Sequence, residues 1–478
     1  MNYRMITYIL GWILLFEAGF LLIPTVTALV YTEQAIKSFL LSIAICVAVS
    51  VLLILKKPKN TSLRSRDGFV IVSLSWIVLS LFGAIPFMLT GVTTSFVDAL
   101  FETVSGFSTT GASIFPDVEI LPRSILMWRS FTHWVGGMGV LVFIMAFLPL
   151  SGGRNMHIMK AESPGPSVSK LVPRVRTTAL LLYGIYFVLT LLEFVLLLCG
   201  GMGAFDALNT AFATAGTGGF ATRSDSMNGF SPFIQIVVGV FMLLFSLNFG
   251  SYFLAIKGRF KEAFTCEIRT FLLIVAAAVT LITLNIRGMF ATAGEAIRHS
   301  FFTVSSIIST TGFATADFNL WPQFSCAVLV LLMFIGACAG STGGGMKVSR
   351  IIIYFKAAVR ELRTAIHPKQ VKKITIDGKP VEQAVVRSSL VFLVCFALTF
   401  IFSILIVSLD NYDLTTGFTA VTATMNNIGP GLNAVGPTGN FAFFSPLSKL
   451  VLIFDMLAGR LELFPMLLLF SPTTWKKA

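Results

Sequence analysis

The sequence has few charged residues and few of the residues that build catalytic or metal sites. Charged residues make up 12% of the 478 residues, hydrophobic residues make up 55%, and the mean hydropathy is +0.86. The six cysteines are scattered without a CxxC pair, so neither a disulfide framework nor a metal knuckle is expected. The four histidines are dispersed too. No clustered His, Cys or carboxylate set indicates an enzyme, and we expect no cofactor.

So much apolar surface is typical of a chain whose solvent is lipid. A spanning helix needs about 20 apolar residues, and runs of that length recur along the chain. A β-barrel would instead show segments of about ten residues with alternating polarity. The fold class is therefore predicted to be an all-α polytopic membrane protein. Ten spanning helices are predicted at about 6–30, 36–55, 69–90, 124–148, 176–199, 231–256, 264–285, 322–345, 388–409 and 446–471.

The basic residues predict the orientation of these helices. The formal net charge is +13, and the loops 56–67, 150–176, 257–269 and 346–387 hold 5, 5, 4 and 10 lysines or arginines, most of the 35 in the chain. Basic residues collect in cytoplasmic loops, so these loops and both termini are predicted to be cytoplasmic. The positive charge is thereby explained, and no nucleic-acid partner is expected.

Four short semi-polar segments interrupt the apolar pattern, one between each of the last four helix pairs. Each looks like a half-helix that ends in a turn around a glycine: Gly111, Gly219, Gly312 and Gly429, with spacings of 108, 93 and 117 residues. One such turn is usually a helix cap with glycine in the left-handed conformation. Four in matching context favour another interpretation, because irregular backbone at membrane depth is tolerated only where it is buried or lines water. We predict four parallel pseudo-repeats of helix, half-helix, filter strand and helix around one central pore, plus two extra N-terminal helices.

These turns carry groups that suit a dehydrated monovalent cation. A half-helix ends at the negative end of its dipole, and carbonyl oxygens beyond that end can replace a hydration shell. No carboxylate lies in the four turns, which disfavours a divalent ion. The candidate cation-binding residues are Thr109, Thr110, Gly111, Thr217, Gly218, Gly219, Thr310, Thr311, Gly312, Asn427, Ile428 and Gly429.

With its N-terminal helix pair and these four segments, nearly the whole chain resembles the Trk/Ktr/HKT superfamily of potassium transporters, and it is most similar to the TrkH-like subunits of bacterial Trk systems. The resemblance implies a potassium filter with one key glycine in each strand. In plant members a serine at the first of these positions accompanies sodium preference, so Gly111 favours potassium. Gly218 replaces a second threonine and the fourth strand reads Asn427-Ile428-Gly429, so the filter is asymmetric.

The resemblance also implies location and partners. It implies a bacterial cytoplasmic (inner) membrane, a homodimer with one pore in each protomer, and a TrkA-like cytoplasmic RCK ring that binds NAD(H) or ATP. For the loop from Lys347 to Arg387 we keep two interpretations: contact with anionic lipid, or docking of a soluble partner. The expected units are 1–67 (helix pair), 68–150, 151–258 and 259–350 (repeats one to three), 351–387 (cytoplasmic loop) and 388–478 (repeat four).

A second interruption, GACAGSTGGGMKVSR from Gly336 to Arg350, follows the third turn. Glycine is costly inside a helix, so Gly343, Gly344 and Gly345 should break it. A phosphate-binding loop is disfavoured because Met346 stands where the motif has lysine. The segment is either a flexible helix end or a mobile intramembrane loop beneath the filter, and the resemblance implies that such a loop is a gate.

Arg460 lies within the last apolar run and is, from sequence, the only clear charge at midplane. A charge at that depth should face protein or water. It either pairs internally with Asp455 or Glu462, or faces the pore beneath the filter as the matching arginine does in the family. A proton- or sodium-coupled transporter, which usually carries further ionisable residues at midplane, remains the alternative function. The stretch His133–Gly139 is expected to serve tight helix packing rather than to form a site.

Overall fold

The described part of the chain, residues 1–58, 63–139, 175–368 and 373–475 of a computed structural model, is built mainly from helices. It also contains one antiparallel hairpin, formed by β1 (Thr375–Ile376) and β2 (Lys379–Pro380). The α-helices are α1 Tyr3–Phe20, α2 Leu22–Val30, α3 Ile36–Ile54, α4 Ser65–Gly83, α5 Ile85–Leu89, α6 Phe96–Phe107, α7 Arg123–Gly137, α8 Val175–Cys199, α9 Ala204–Gly216, α10 Pro232–Phe245, α11 Phe249–Ile256, α12 Phe260–Ala263, α13 Cys266–Ile286, α14 Ala293–Ile308, α15 Gln323–Ile335, α16 Val348–Ile366, α17 Gln383–Val407, α18 Leu414–Met425, α19 Pro446–Arg460, α20 Phe464–Leu469 and α21 Pro472–Trp475.

Six helical segments within the described ranges are long and apolar enough to cross a membrane, or seven if one bent pair counts as a span. They coincide with the first helix of each predicted pair and with both N-terminal helices. Helical apolar runs of this length satisfy their own backbone hydrogen bonds, as lipid requires. The six segments are Tyr3–Val30, Ile36–Ile54, Arg66–Leu89, Ala179–Cys199, Cys266–Met289 and Gln383–Asp410.

In three of the four predicted pairs the second helix is interrupted, so the expectation of a continuous span was wrong there. The predicted helix 231–256 is α10 and α11, which meet at 92° where Asn248 accepts a hydrogen bond from Gly250 N (2.8 Å) and starts a new helix. The predicted helix 322–345 ends at Ile335, because Gly336 has φ +71°. The predicted helix 446–471 breaks after Arg460. Of 124–148, α7 covers the start and residues 140–148 lie outside the described ranges, as does most of the loop 150–176.

The four half-helices are α6, α9, α14 and α18, with 12, 13, 16 and 12 residues. At 1.5 Å per residue they are about 18–24 Å long, too short for a hydrocarbon core of about 30 Å. Side chains of Ser95, Thr292 and Asp413 accept hydrogen bonds from first-turn backbone N–H groups of α6, α14 and α18. These caps set where each half-helix begins.

Three carboxyl groups are buried in apolar helices, in addition to the arginine that the sequence singled out. Glu17 in α1, Glu193 in α8 and Asp455 in α19 have no exposed surface. Each lies in an apolar helix, where an ionisable side chain is expensive and marks a structural or functional position. These acids do not stand out in the hydropathy of the sequence, because the flanking leucines and phenylalanines dominate the average over each helix.

The predicted cytoplasmic loop 346–387 is largely structured. It contains α16 and the hairpin, whose two-residue turn is Asp377-Gly378 with φ +49° and +74°. An Asp-Gly pair with both φ angles positive is the preferred type I′ hairpin turn, so the letters TIDGKP carried a signal that the sequence reasoning missed. Ile374 and Val386 pack with Ile353 of α16, which fixes the hairpin against the helix that follows the glycine loop.

Candidate functional site

All four half-helices end in the same hydrogen-bonded cap. Just past the end of each half-helix, the left-handed residue bonds back to the carbonyl three residues earlier, and the next residue bonds to the carbonyl five residues earlier, as in a Schellman motif. In the first copy, Thr109 N bonds to Gly106 O (3.1 Å) and Thr110 N to Ser105 O (2.9 Å). The long bonds in the other copies are Gly218 N to Ala213 O (2.9 Å), Thr311 N to Ser306 O (2.9 Å) and Ile428 N to Ala423 O (2.8 Å).

The left-handed cap residue is a threonine or an asparagine, not the glycine that a simple cap would use. Thr109, Thr217, Thr310 and Asn427 have φ between +55° and +62°. Asparagine tolerates this region, whereas a β-branched residue there is a true outlier. Such strain costs on the order of 1–3 kcal/mol for each residue and clusters at functional sites. The four glycines therefore have another structural role.

That role is close contact between neighbouring turns, and it closes a ring. A Cβ atom on Gly111 would lie less than 3.0 Å from the carbonyl oxygen of Gly218, and one on Gly219 equally close to Thr311 O. Continuing around, a Cβ on Gly312 would meet Ile428 O, and one on Gly429 would lie 2.7 Å from Thr110 O. Each glycine also has φ between +78° and +96°. The twelve predicted site residues are thus brought together as four adjacent strands in the order one, two, three, four, one.

Side-chain hydrogen bonds stabilise the turns and connect two of the strands. Thr110 Oγ1 lies 2.7 Å from Ser108 Oγ and accepts a hydrogen bond from Asn427 Nδ2 at 2.9 Å, which links strand four to strand one. In the third turn Thr311 Oγ1 lies 2.7 Å from Ser309 Oγ. The hydroxyls of Thr110 and Thr311 are thus engaged within the turns, and the asparagine of the fourth strand supplies a bridge between strands.

The side chain of His133 explains why strand two has a glycine at position 218. Its Nδ1 lies 2.7 Å from Gly106 O, and its Nε2 accepts a hydrogen bond from Phe220 N at 3.2 Å. The imidazole is buried and neutral with the proton on Nδ1, because Nε2 accepts. A Cβ on Gly218 would overlap this ring. The stretch His133–Gly139 packs tightly, as expected, but its histidine also connects half-helix α6 to the backbone that follows strand two, a role that sequence reasoning missed.

A buried ion pair supports the outer side of the turns. Arg129 Nε lies 2.7 Å from Glu102 Oε1, with side-chain exposures of 2% and 0%. Glu102 also accepts Ile114 N (2.9 Å), and Arg129 donates to Ala221 O (3.3 Å). The pair therefore connects the backbone that follows strand one to the backbone that follows strand two.

Cavities lie on both sides of the ring. The outer one has a volume of about 110 Å³, and its lining includes all four filter glycines together with Phe220. The inner one has a volume of about 90 Å³, and its lining includes Gly343, Gly344, Lys347 and Arg460. Three of the four predicted gate residues, Gly343, Gly344 and Arg460, thus line the cavity on the side opposite the outer one.

The glycine loop, residues 336–347, touches the filter directly. Gly344 N donates to Thr310 Oγ1 at 2.6 Å, and Gly345 N donates to Asn426 O at 3.1 Å. A Cβ on Gly343 or Gly344 would overlap the backbone at the ends of α14 or α18. The break between α10 and α11 holds the loop from the other side, since Phe249 N donates to Gly340 O (3.0 Å). The loop is therefore packed, not a frayed helix end.

Arg460 lies at the centre of this arrangement. Its guanidinium donates to Thr342 O (2.6 Å) in the glycine loop, to Thr109 Oγ1 (3.2 Å) in strand one, and to Gly136 O and Gly137 O (both 2.6 Å) at the end of α7. Its guanidinium therefore lies between the first strand, the glycine loop and the end of α7. Of the two acids named as its possible partners, Asp455 accepts a hydrogen bond from Ser403 Oγ (2.7 Å), and Glu462 pairs with Arg350.

Lys347 places a second basic side chain in the loop. It is 2% exposed, has φ +74°, and its ammonium donates to Gly343 O within the same loop. Arg350, in the first turn of α16, also stacks on Phe392 at 4.1 Å. The inner cavity therefore has two basic side chains, Lys347 and Arg460, on its wall.

Four half-helices that converge on one ring within a set of spanning helices define a polytopic membrane protein of the transport class. A profile of the cation transport protein family TrkH matches residues 35–477. The Trk system potassium uptake proteins TrkH of Escherichia coli and Halomonas elongata are 37% and 36% identical to this chain over 485 residues, with all of both chains covered. The crystal structure of the potassium transporter TrkH from Vibrio parahaemolyticus superposes over the whole of both chains with a TM-score of 0.90 and 34% identity.

The chain therefore belongs to the TrkH family of cation transport proteins. The family resemblance inferred from the glycine turns is confirmed.

Proposed function

We propose that this protein takes up potassium through a central pore whose filter is formed by the four glycine strands. The relatives with the same full-length similarity are named as potassium uptake proteins, and the electrostatics of the turns suit this ion. Four half-helix C-termini direct the negative ends of their dipoles at the ring. Backbone carbonyls in such a ring can replace the hydration shell of K⁺.

The observation that carries this proposal is the closed ring of glycines. Each glycine is needed because a side chain would collide with the carbonyl of the next strand, from Gly111 around to Gly429. Helix caps alone would need no contact between the four turns and no second residue with positive φ. The ring, with one cavity on each side, is the geometry that a filter requires.

Gating is proposed for the glycine loop and Arg460. The loop residues Gly343, Gly344 and Gly345 lie directly beneath the strands, and Arg460 links them to strand one. A positive charge beneath a cation filter raises a barrier to the ion. The gate is closed in this arrangement, and conduction needs the loop and the guanidinium to move aside.

The first experiment measures Rb⁺ and Na⁺ flux in liposomes that contain the purified protein, for the wild type and for Gly312→Ser. The matched control is Gly201→Ser. Gly201 has the same φ of +86°, but a Cβ there would meet nothing within 4 Å. Both substitutions add the same backbone strain, so only a clash in the ring separates them.

The filter is supported if the wild type favours Rb⁺ over Na⁺, if Gly312→Ser weakens this preference, and if Gly201→Ser leaves it intact. Equal Rb⁺ and Na⁺ flux in all three proteins refutes it. If the wild type shows no flux, the same comparison is repeated in an Arg460→Ala background, because a closed gate conceals a working filter.

Partners are proposed from the family and from the cytoplasmic face. A cytoplasmic RCK ring that binds NAD(H) or ATP would dock near α16 and the hairpin, and two copies of the chain would form the dimer, with both termini inside the inner membrane. The exposed Phe355, Leu362 and Ile366 of α16 offer apolar surface for such contacts. The docking site is tested with a variant that carries polar residues at these three positions. The measurement is whether this variant still pulls down the RCK ring.

A coupled cation transporter is the second candidate, because Glu17, Glu193 and Asp455 are buried carboxyl groups in apolar helices. Such groups can carry protons. Proton movement that accompanies Rb⁺ uptake with a fixed ratio, and that Glu193→Gln abolishes, would favour this mechanism. A Rb⁺ flux that responds only to the membrane potential would favour the channel-like pore.

A further inference from the structure

One carboxylate outside the filter binds the backbone on both sides of the three consecutive glycines. Glu267 lies in the first turn of α13, and its Oε1 accepts hydrogen bonds from Ala339 N at 2.7 Å and from Ser349 N at 3.1 Å. Ala339 precedes the three glycines and Ser349 follows Lys347. Because one oxygen atom holds two points that are ten residues apart in the chain, the two ends of the loop cannot separate while both bonds persist.

The residue next to Glu267 is held from the cytoplasmic side. Asp377, at the turn of the hairpin, accepts a hydrogen bond from Cys266 N at 2.8 Å and pairs with Arg269 Nη2 at 3.2 Å, both through Oδ1. The hairpin is itself tied to α16, since Lys356 Nζ donates to Thr375 O at 2.6 Å. The turn therefore fixes the N-terminus of the helix that carries Glu267.

These contacts join the cytoplasmic surface to the filter in a few steps. Asp377 holds Cys266, the adjacent Glu267 holds the glycine loop, and in that loop Gly344 N donates to Thr310 Oγ1. Asp377, Gly378 and Lys379 are exposed, so this end of the series is open to a partner. Two distant sites can be coupled through a continuous series of contacts if that series can adopt two discrete arrangements. The coupling energy between substitutions along the series is the measurement that demonstrates it.

We propose that Glu267 is a positioning residue that keeps the glycine loop closed, and that the Asp377 hairpin is the cytoplasmic latch that holds Glu267 in place. The inference rests on the proposed gate. Release of the hairpin would free the start of α13, loosen the bonds to Ala339 and Ser349, and allow the loop to leave the filter.

The test measures basal Rb⁺ efflux from liposomes that contain the full-length protein without any partner. Glu267→Ala removes the shared acceptor, and Asp377→Gly removes the carboxylate while glycine accepts the φ of +49°. We expect each variant to raise flux about tenfold, equivalent to about 1.4 kcal/mol. Because both act on one series of contacts, the double variant should gain little over the larger single effect.

Conservative variants separate positioning from a general loss of structure. Glu267→Gln and Asp377→Asn each keep the single oxygen that accepts the bonds, so both should return flux to within about twofold of the wild type. The matched control is Glu262→Gln, a cytoplasmic acid close in sequence whose ion pair is with Arg259, exposed by 55% and 57%. It should leave flux unchanged.

Unchanged flux in Glu267→Ala and Asp377→Gly, in a preparation where Arg460→Ala does raise flux, overturns the latch and leaves the proposed gate intact. Unchanged flux in all three, together with an insensitive filter variant, overturns the proposed function. If Glu267→Ala is not recovered as a folded protein, Asp377→Gly decides alone, because its turn is preserved and it lies outside the spanning segments. Fully additive effects in the double variant also overturn the latch.

Discussion

Arg460 Nη1 donates a hydrogen bond to the carbonyl oxygen of Thr342 at 2.6 Å, which joins the last long helix to the glycine loop. The same guanidinium reaches the first filter strand and the end of α7. This places one side chain in contact with the loop, the filter and a neighbouring helix. The contact has consequences that can be measured.

Removal of the guanidinium should open the pore. We expect Arg460→Ala to raise basal Rb⁺ flux at least about tenfold, since it removes a barrier charge and releases the glycine loop; tenfold corresponds to about 1.4 kcal/mol. Arg460→Lys should give an intermediate value, because lysine keeps the charge but cannot reach several carbonyls in a fixed geometry. The control is Arg259→Ala at an exposed site outside the loop and the filter. A flux in Arg460→Ala at or below the wild-type level contradicts the gate.

The close contact between His133 and Gly218 should make the effects of substitutions at these two positions depend on each other. Gly218→Ala adds a methyl group that overlaps the imidazole, and overpacking of this kind costs about 1–3 kcal/mol. We expect a lower midpoint of thermal unfolding in detergent and weaker Rb⁺ over Na⁺ selectivity. In His133→Ala/Gly218→Ala the space is vacated, so the second substitution should cost less than it does alone.

Gly184→Ala is the control for that cycle, because Gly184 lies in α8 and a Cβ there would meet nothing within 4 Å. Alanine favours helix over glycine by up to about 1 kcal/mol, so this variant should be neutral or slightly stabilised. Additive costs in the double variant would show that His133 and Gly218 do not interact.

The buried pair of Glu102 and Arg129 should matter for stability far more than a surface pair. Glu102→Gln leaves an uncompensated buried guanidinium, a change that costs about 3–5 kcal/mol in other buried pairs. The comparison is Asp225→Asn, whose partner Arg223 is 42% exposed and which should cost about 0–1 kcal/mol. Thermal unfolding of both variants in the same detergent measures the difference. Equal midpoints would show that the buried pair contributes no more than the exposed one.

Acid should weaken the start of the fourth half-helix. Hydrogen bonds from the Thr416 hydroxyl and backbone N–H, the latter at 2.9 Å, lower the pKa of Asp413 below its ordinary value. A carboxyl group with a lowered pKa adds stability above its unfolded pKa and loses it as pH falls through the folded one. The gap in unfolding midpoint between the wild type and Asp413→Asn should therefore shrink as pH drops from about 6 to about 3. A constant gap would show that the charge of Asp413 does not stabilise the cap.

The sequence by itself determined the membrane class, the two N-terminal helices, the first helix of each pair and the position of all four glycine turns. These are local properties: a chain in lipid must satisfy its backbone within each helix, so apolar runs and their interruptions are visible in composition. The spacing of Gly111, Gly219, Gly312 and Gly429 and the three consecutive glycines at 343–345 were sufficient to indicate the family.

Only the tertiary structure decided how these parts meet. Several features could not be read from the neighbouring residues in the sequence. They are the left-handed threonines of the caps, the bend at Asn248, the bridging imidazole of His133, the buried Glu17 and Glu193, and the two hydrogen bonds that Glu267 accepts. The contacts of His133 and of Glu267 join segments that lie tens of residues apart in the chain. The cyclic order of the strands is likewise a property of packing, because a glycine is required only where the carbonyl of another strand approaches its Cα.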